Sequence, residues 1–379
     1  MSLEELRNEL NGIDDNIAKL FNARMNVVEK IGEEKKKDAV PRIFDAAREN
    51  KVLLRLTENV EEKYYPYLKK VYGTVFETSK AYQARIIGRQ PSEEIKKALR
   101  PAEKEFPFKA RVACQGVEGA YSEIAARKLI ELPDVSFFKS FDGVFTAVEK
   151  GFSKYGVLPV ENSYAGSVNR VYDLMRDHKF FIVKSVKLTI SHCLCALPSA
   201  KKEDLKKIIS HEQAISQCRN YLDKLGSVEV TPEVNTALSA KKVSEGNDKT
   251  VGAICSKESA ELYGLKVIDY DIQDSKNNYT RFILIAKEPE LYKGANKISI
   301  MATLPHVSGS LANVLGRFSS IGINLTKLES RPTSEGSFEF MFYFDFECDP
   351  LDPALHNLLA ELESEGTLIF LGAYGETIC

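Results

Sequence analysis

A hydroxyl group and a guanidinium stand side by side where a polar stretch gives way to an apolar run. Thr280 and Arg281 follow Asn278 and precede the apolar residues 282–286. A short, continuous, β-branched run of this kind indicates a buried strand. Polar groups carried by a loop at the end of a rigid strand are common in active sites. From these residues alone, a strand-start threonine and a surface arginine are the simpler interpretation.

Residues 1–90 place charged side chains within an apolar pattern that is typical of a helix. Apolar residues recur there at alternating spacings of three and four, and Arg24 occupies one position of that stripe. A charge on a buried seam is costly unless it is paired. Two interpretations stay open: a polar network that fixes the helix register, or an interior that holds a small dicarboxylate. The donors are Arg7, Arg24, Lys35 and Arg48, with Ser79 and Gln83 one helical turn apart.

Three further polar segments follow predicted strands and open predicted helices. The start of a helix favours an anion, because its first backbone N–H groups have no partner within the helix. Each segment alone is equally consistent with a helix-capping loop. The segments are 115–122, 158–168 and 210–214, and their polar candidates are Ser122, Glu161, Asn162, Ser163 and His211.

Composition and charge argue against several classes of function. The 379 residues carry 52 basic and 54 acidic side chains, a net charge of −2, which argues against nucleic-acid or anionic-membrane binding. No apolar run approaches the ~18 residues of a membrane span, and the first residues lack a secretion signal. Seven cysteines without a Cys-x-x-Cys pair and five histidines without ligand spacing indicate neither disulfides nor a metal site. We therefore expect a cytoplasmic protein without a metal or other cofactor.

Two segments precede the part of the chain that is rich in strands. Residues 1–90 predict three helices, at about 3–31, 45–56 and 65–87. Residues 91–108 are polar and contain three prolines, which predicts a linker.

Residues 109–287 alternate short apolar strands with amphipathic helices, a pattern that predicts a mostly parallel α/β sheet. Ligands of such sheets bind beyond the carboxyl ends of the strands. A long extended stretch, 180–197, predicts a passage of the chain from one lobe to another. The predicted strands are 111–114, 135–138, 155–158, 208–210, 229–231, 251–255 and 281–286. The predicted helices are 121–132, 142–150, 169–177, 212–224, 236–244 and 257–263.

Residues 288–379 predict a small α+β module. Its element order, βαββαβ, is that of the ferredoxin-like fold. The predicted strands are 297–303, 325–330, 338–347 and 367–372, with helices at 310–321 and 353–363.

The first segment, 1–90, resembles the all-helical chorismate mutase domain. The resemblance rests on Leu6-Arg7, Arg24, Lys35, Asp45-x-x-Arg48-Glu49 and Ser79-x-x-x-Gln83. It implies the rearrangement of chorismate to prephenate, in which the enzyme holds a reactive conformer and stabilises charge on the breaking ether oxygen. The implied roles are carboxylate clamps for Arg7 from the partner chain, Arg24 and Arg48; donors to the ether oxygen for Lys35 and Gln83; contacts to the ring hydroxyl for Asp45 and Glu49; and substrate binding for Ser79.

The polar segments of 109–287, together with 278–282, resemble the ordered motifs of the prephenate dehydratase family. The most specific parts are Glu-Asn-Ser-x-x-Gly-Ser at 161–167 and Thr-Arg-Phe at 280–282. The resemblance implies a two-lobed α/β domain similar to periplasmic solute-binding proteins, with its site in the cleft between the lobes. The implied reaction removes a carboxylate and the ring hydroxyl from prephenate and gives phenylpyruvate, carbon dioxide and water.

Departure of the ring hydroxyl requires a hydrogen-bond donor or general acid at the leaving oxygen, and the resemblance assigns Thr280 to this task. Arg281 would hold a carboxylate. Glu161 is either an acid or a residue that orients its loop, and His211 is either a titrating group or a helix cap. The other substrate-binding candidates are Ser122, Asn162, Ser163 and Phe282.

The C-terminal module resembles an amino-acid-sensing ACT domain at 305–311 and 329–332. The resemblance implies feedback inhibition by L-phenylalanine, although Ser310 departs from the alanine of the family pattern. A module that only oligomerises the chain is the alternative. The regulatory candidates are His306, Gly309, Ser310, Leu311, Asn324, Glu329, Ser330 and Arg331.

The sequence as a whole predicts a member of the bifunctional chorismate mutase–prephenate dehydratase family, as a homo-oligomer (dimer or tetramer). Its ligands would be chorismate, prephenate and L-phenylalanine, with no nucleic acid or membrane as a partner. One alternative is a non-catalytic two-lobed sensor with an ACT domain. A sensor that acts on DNA should carry a basic helix-turn-helix, which residues 1–90 do not supply. A second alternative is a dehydratase whose helical domain is inactive and only dimerises, but the retention of its cationic donors argues against this.

Overall fold

The computed structural model describes residues 2–37, 45–88, 90–275, 277–304, 306, 308–332 and 340–379. Pro305, Val307 and the first two residues of the strand predicted at 338–347 lie outside the described residues. The chain forms two compact units, Met1–Lys96 with Ala302–Leu368, and Lys97–Met301 with Ile369–Cys379.

The first unit begins with three helices, α1 Leu3–Lys35, α2 Ala46–Thr57 and α3 Tyr65–Ile87. α1 begins after Ser2, which forms a reciprocal capping box with Glu5. All three helices agree with the sequence prediction, and α3 matches its predicted bounds.

α1 and α3 pack together near the C-terminal end of α1. Gly32 permits this approach, because a Cβ at that position would lie 3.0 Å from the Cδ1 of Ile86. Val28, Phe76 and Ala84 are buried beside this contact.

Apolar side chains along the preceding part of α1 are exposed. Leu3 is 65% exposed and Leu20 is 70% exposed, although the spacing of these residues is that of a buried seam. A contiguous apolar stripe on a surface marks an interaction site when it exceeds a few hundred Å². We call this surface the α1 stripe; it consists of Leu3, Leu6, Leu10, Ile13, Ile17 and Leu20.

Between residues 93 and 286 the chain alternates helices and strands. The elements are α4 Glu93–Ala98, β1 Lys109–Gln115, α5 Tyr121–Leu129, β2 Leu132–Phe138, α6 Phe141–Glu149, β3 Tyr155–Asn162, β4 Gly166–Ser167, α7 Asn169–His178, β5 Phe181–Thr189, β6 Cys193–Ala196, β7 Lys207–His211, α8 Glu212–Gln217, α9 Arg219–Lys224, β8 Glu229–Glu233, α10 Thr236–Gly246, β9 Val251–Cys255, α11 Lys257–Leu262, β10 Lys266–Asp269 and β11 Tyr279–Ala286.

These strands form two sheets. In the larger sheet the order is β5-β11-β3-β1-β2, with β4 beside β3, and in the smaller sheet it is β10-β6-β9-β7-β8. The extended stretch predicted at 180–197 does connect them, because it contains β5 of one sheet and β6 of the other.

The prediction of a mostly parallel sheet is wrong, because both sheets are mixed. β11 is antiparallel to β3 and β5, and β6 is antiparallel to β9 and β10. The chain leaves the larger sheet through β5 and returns to it through β11. Because the chain leaves and re-enters the larger sheet at the same edge, β5 and β11 run in opposite directions.

The last elements are β12 Lys297–Thr303, α12 Ser310–Ser320, β13 Asn324–Pro332, β14 Phe340–Glu347, α13 Pro353–Glu365 and β15 Leu368–Ile378, which is the predicted βαββαβ order. β15 continues beyond its predicted end at residue 372, and residues 375–378 pair in parallel with β5. Gly372 has a φ of 140°, and a Cβ there would lie 2.2 Å from the carbonyl oxygen of Ile182. This glycine therefore permits the strand to pass close to β5 and does not end it.

None of the described helices is long and apolar enough to cross a membrane. Within the described residues, no group of three or more His, Cys, Asp or Glu side chains could hold a metal ion. The seven cysteines are free thiols, five of them buried.

Candidate active sites

The second unit contains a cavity of about 290 Å³ between its two sheets. Asn162, Thr280 and Phe282 line it from the strand ends of the larger sheet, and His211 lines it from the end of β7 in the smaller sheet. Ser122, at the start of α5, also contributes. The structure therefore brings five of the residues singled out from sequence to one cleft, at the strand ends where ligands of such sheets bind.

Thr280 is held in this cleft by Asn162. The Nδ2 of Asn162 donates a hydrogen bond of 2.9 Å to the Oγ1 of Thr280. The Oδ1 of Asn162 accepts backbone N–H groups from Tyr164 and Ala165, at 3.0 and 2.9 Å. Because a backbone N–H can only donate, this loop fixes which end of the Asn162 amide faces Thr280. The Thr280 hydroxyl is thus an acceptor toward Asn162, and its proton is available for another acceptor.

Ser163 and Glu161 lie beside the cleft without lining it. Ser163 joins two loops, because its Oγ donates to the carbonyl oxygen of Asn277 at 2.8 Å and accepts the backbone N–H of Tyr279 at 3.0 Å. Glu161 pairs in the strand register with Arg281. Because successive residues of a strand face opposite sides, Glu161 and Arg281 face away from the cleft that Asn162 and Thr280 line.

Arg281 lies in the interior of the sheet and does not line the cavity. It is 1% exposed, so the interpretation as a surface arginine is wrong. Its Nε lies 2.7 Å from a carboxylate oxygen of Glu376, and its Nη2 donates to the hydroxyl of Tyr374 at 2.5 Å. Both partners belong to β15, so the guanidinium serves the packing of the last strand.

Glu376 forms ion pairs with basic residues from more than one strand. Lys297 lies 2.8 Å and Lys187 3.5 Å from it, in addition to Arg281. Burial by itself raises the pKa of Glu376, but the nearby positive charges outweigh burial and lower that pKa to about 2. The sequence carried no signal for this cluster, because its members are far apart in the chain.

His211 caps α8, and its Nδ1 accepts the backbone N–H of Gln213 at 3.2 Å. Since its ring also lines the cavity, the structure is compatible with both interpretations made from the sequence.

Further polar residues line the cleft that were not named as candidate site residues from the sequence. Gln213 donates to the Oδ1 of Asn162 at 3.1 Å and so links α8 to the larger sheet. Thr236 lies at the start of α10. His192 and Gln217 are both buried, and the Nε2 of His192 lies 2.9 Å from the Oε1 of Gln217. Burial lowers the pKa of His192, which keeps the ring neutral at physiological pH.

The helical segment of the first unit brings together three of its predicted residues. Arg24 on α1 donates to the Oγ of Ser79 on α3, and Ser79 in turn donates to the carbonyl oxygen of Val75 at 2.5 Å. Gln83, one turn further along α3, is buried, and no described residue supplies a hydrogen-bond partner for its Oε1. A buried amide oxygen without a partner is costly in a finished core and is consistent with a ligand-binding position.

The remaining candidates of the helical segment lie outside the cluster of Arg24, Ser79 and Gln83. Asp45 caps α2 by accepting the backbone N–H of Arg48 at 2.9 Å. Glu49 lies 3.4 Å from Lys80, a residue that was not predicted from the sequence. Lys35 is half-buried near the end of α1, and Arg7 is exposed beside the α1 stripe.

The regulatory candidates lie at the start of α12 and along β13. Gly309 precedes α12 with a φ of 90°, a conformation that favours glycine. Ser310 and Leu311 open that helix, and the His306 ring stacks at 6.4 Å on Phe340. The β13 candidates are Asn324, Glu329, Ser330 and Arg331.

Two known families match separate segments of the chain. The family described as prephenate dehydratase matches residues 112–290, and the family described as chorismate mutase type II matches residues 6–84. The chain is 40% identical over 279 residues to arogenate dehydratase/prephenate dehydratase 2 of Arabidopsis thaliana, covering 70% of this chain and 73% of that protein. It is 41% identical to arogenate dehydratase 2 of Petunia hybrida, covering 70% and 71%.

Two solved structures share the fold over 70% of this chain. The prephenate dehydratase of Arthrobacter aurescens, in complex with L-Phe, is 28% identical, with a TM-score of 0.65 over 90% of its own length. A chain described as GqqA, a novel type of quorum quenching acylase, is 30% identical, with a TM-score of 0.64 over 98% of its length.

Proposed function

We propose that this chain, which belongs to the prephenate dehydratase family and carries a type II chorismate mutase domain ahead of it, catalyses two consecutive steps of aromatic amino-acid biosynthesis. The helical segment would rearrange chorismate to prephenate. The cleft between the two sheets would then convert prephenate to phenylpyruvate. The observation that carries the second step is the oriented Thr280 hydroxyl.

In the dehydratase step, the bond between the ring and its carboxylate breaks and releases carbon dioxide. Its electron pair enters the ring as the bond to the hydroxyl oxygen breaks, and the departing oxygen takes up a proton to become water. Aromatisation supplies the driving force, so the enzyme has chiefly to stabilise the leaving oxygen. Since Asn162 donates to Thr280, the Thr280 proton can point at that oxygen and stabilise its developing negative charge.

In the mutase step, no group has to act as a nucleophile or a base. Arg24, already hydrogen-bonded to Ser79, would bind a substrate carboxylate, and the Nε2 of the buried Gln83 amide would donate to the ether oxygen. The α1 stripe supports a second copy of the chain as its cover, because exposed apolar seams of this spacing pack against another helix. We propose that Arg7 of that copy completes the site, in at least a homodimer.

We propose that the C-terminal module is an ACT-type regulatory domain that binds L-phenylalanine and inhibits the dehydratase. The βαββαβ order and the left-handed Gly309 at the start of α12 support this proposal. We also propose a cytoplasmic location, as expected from the cysteine usage.

The test is to incubate the pure protein with chorismate and to follow prephenate and phenylpyruvate over time. Supplied prephenate and arogenate should be compared as dehydratase substrates, since the plant relatives are named for arogenate. Absence of both products from an active-site-titrated, folded preparation would overturn the proposal, whereas turnover of arogenate alone would correct only the substrate.

A further inference from the structure

A buried chain of amides runs from Thr280 to His192 along the wall of the cleft. Asn162 donates to Asn278 at 3.3 Å as well as to Thr280, and Asn278 donates to the Oε1 of Gln217 at 3.0 Å. The same Oε1 lies 2.9 Å from the Nε2 of His192. The four amide and imidazole side chains are each at most 8% exposed.

The direction of every hydrogen bond in this chain follows from the backbone at one end. The Asn162 oxygen is fixed by the N–H groups of Tyr164 and Ala165, so its nitrogen faces Asn278. The Asn278 atom that it meets must accept, which turns the Asn278 nitrogen toward Gln217. The Gln217 atom there must therefore be its oxygen, and an oxygen can only accept from His192.

This direction decides the tautomer of His192. A neutral imidazole carries one N–H, and the bond to Gln217 requires that N–H on Nε2. The Nδ1 is then a bare acceptor. No described residue gives a hydrogen bond to His192 Nδ1 or takes one from Gln217 Nε2, and both atoms are buried. Both residues line the cleft, so a donor and an acceptor are left for a ligand.

We propose that His192 and Gln217 recognise the ring hydroxyl of the substrate, a role that rests on the proposed dehydratase function. Prephenate offers two carboxylates and a ketone, which only accept hydrogen bonds. Its hydroxyl is the one group that can donate to Nδ1 and also accept from the Gln217 amide. The pair would thereby select substrates by the group that departs.

The experiment is a binding cycle with non-reacting ligands. The probes are a ring-saturated prephenate, which cannot aromatise, and its counterpart with hydrogen in place of the hydroxyl. Calorimetry on the wild-type full chain should give roughly 5- to 150-fold tighter binding of the hydroxyl ligand, since a buried acceptor left unsatisfied costs ~1–3 kcal/mol. In His192→Phe, which removes the acceptor but keeps an aromatic ring, the preference should fall to about 2-fold or less.

Two further variants separate recognition from folding. His192→Asn retains a side-chain oxygen and should restore part of the preference, and Gln217→Met should lower it if His192→Phe does not fold. His178→Phe is the matched control, because His178 packs on Phe145 away from the cleft. An unchanged preference in folded His192→Phe, or no preference in the wild type, would overturn the proposal. Failure of the proposed dehydratase function is distinguished by a different result, namely that the wild type turns over neither prephenate nor arogenate.

Discussion

Arg317 on α12 donates a hydrogen bond of 3.1 Å to Glu77 on α3. A second guanidinium nitrogen of Arg317 lies 3.7 Å from Glu361 on α13, and the Arg317 side chain is only 9% exposed. Glu77 is also 2.6 Å from Lys80, which in turn contacts Glu49. One arginine therefore ties the C-terminal module to the helix that carries Ser79 and Gln83.

Arg317→Met should destabilise the first unit, because it leaves Glu361 without this partner and removes one cation from Glu77. The expected loss is about 3 kcal/mol in the free energy of unfolding, measured by urea denaturation. Lys37→Met removes an ion pair whose partners are more than 70% exposed and should change stability by less than ~0.5 kcal/mol. Equal effects of the two variants would mean that the Arg317 contacts contribute little.

The two activities should respond to different residues. Thr280→Val keeps the side-chain volume but removes the hydroxyl, so the dehydratase kcat should fall roughly 10²–10³-fold. Thr280→Ser should retain much of it. Arg24→Ala should lower mutase activity roughly 10²-fold or more by releasing a carboxylate clamp. Each substitution should leave the other activity unchanged when prephenate or chorismate is supplied separately, and loss of both in a folded protein would contradict this.

Mixing two inactive mutase variants should restore activity if the site is shared between chains. In a hybrid of Arg7→Ala and Arg24→Ala chains, one site regains both arginines. Random exchange should therefore recover about a quarter of the wild-type sites. Mass spectrometry of differently tagged chains verifies the exchange. Verified hybrids without mutase activity would exclude Arg7 as a residue supplied by the partner.

Acid should weaken the second unit through Glu376. The pKa of this carboxyl is about 2 in the folded protein, below its ordinary value of 4.5. A lowered pKa stabilises the fold above the unfolded value, and that contribution is lost as the pH falls from about 4.5 toward 2. Glu376→Gln should cost about 3 kcal/mol near neutrality and flatten the fall in stability over that interval. The exposed Glu103→Gln is the control; the same pH profile in wild type and Glu376→Gln would refute the assignment.

L-phenylalanine and substrate should oppose each other's binding. If phenylalanine inhibits through a second conformation, typical coupling is ~1–3 kcal/mol, and linkage requires the same factor in both directions. Calorimetry of phenylalanine with and without ring-saturated prephenate measures this factor. Equal affinity in the two titrations would mean that the sites are uncoupled.

Sequence reasoning placed Thr280 at a strand end, where the structure also has it beside the cleft, but it did not predict the burial of its neighbour Arg281. The apolar run after residue 281 predicted β11, and a strand end at a cleft is a local property. Which face Arg281 takes is decided by alternation along the strand, and its partners Tyr374 and Glu376 come from a strand whose extension was not predicted. The predicted strand stopped at Gly372, whereas the strand continues past this glycine, which the close approach of Ile182 requires.

His192 and Gln217 were not predicted from the sequence, because their contacts also depend on residues far apart in the chain. Neither belongs to a motif whose spacing signals chemistry, and their pairing depends on how two sheets face each other. α3, in contrast, was predicted with its observed bounds, because its apolar period is a property of one helix.

The placement of β15 has a consequence for the order in which the protein can mature on the ribosome. Ser185 on β5 precedes its partner Glu376 by 191 residues. At about 5–20 residues per second, a nascent β5 waits roughly 10–40 s for the strand that covers its edge. During that interval the unpaired edge of β5 is open to neighbouring nascent chains. Slow translation of the last segment should therefore increase aggregation of newly made protein more than it affects the finished enzyme.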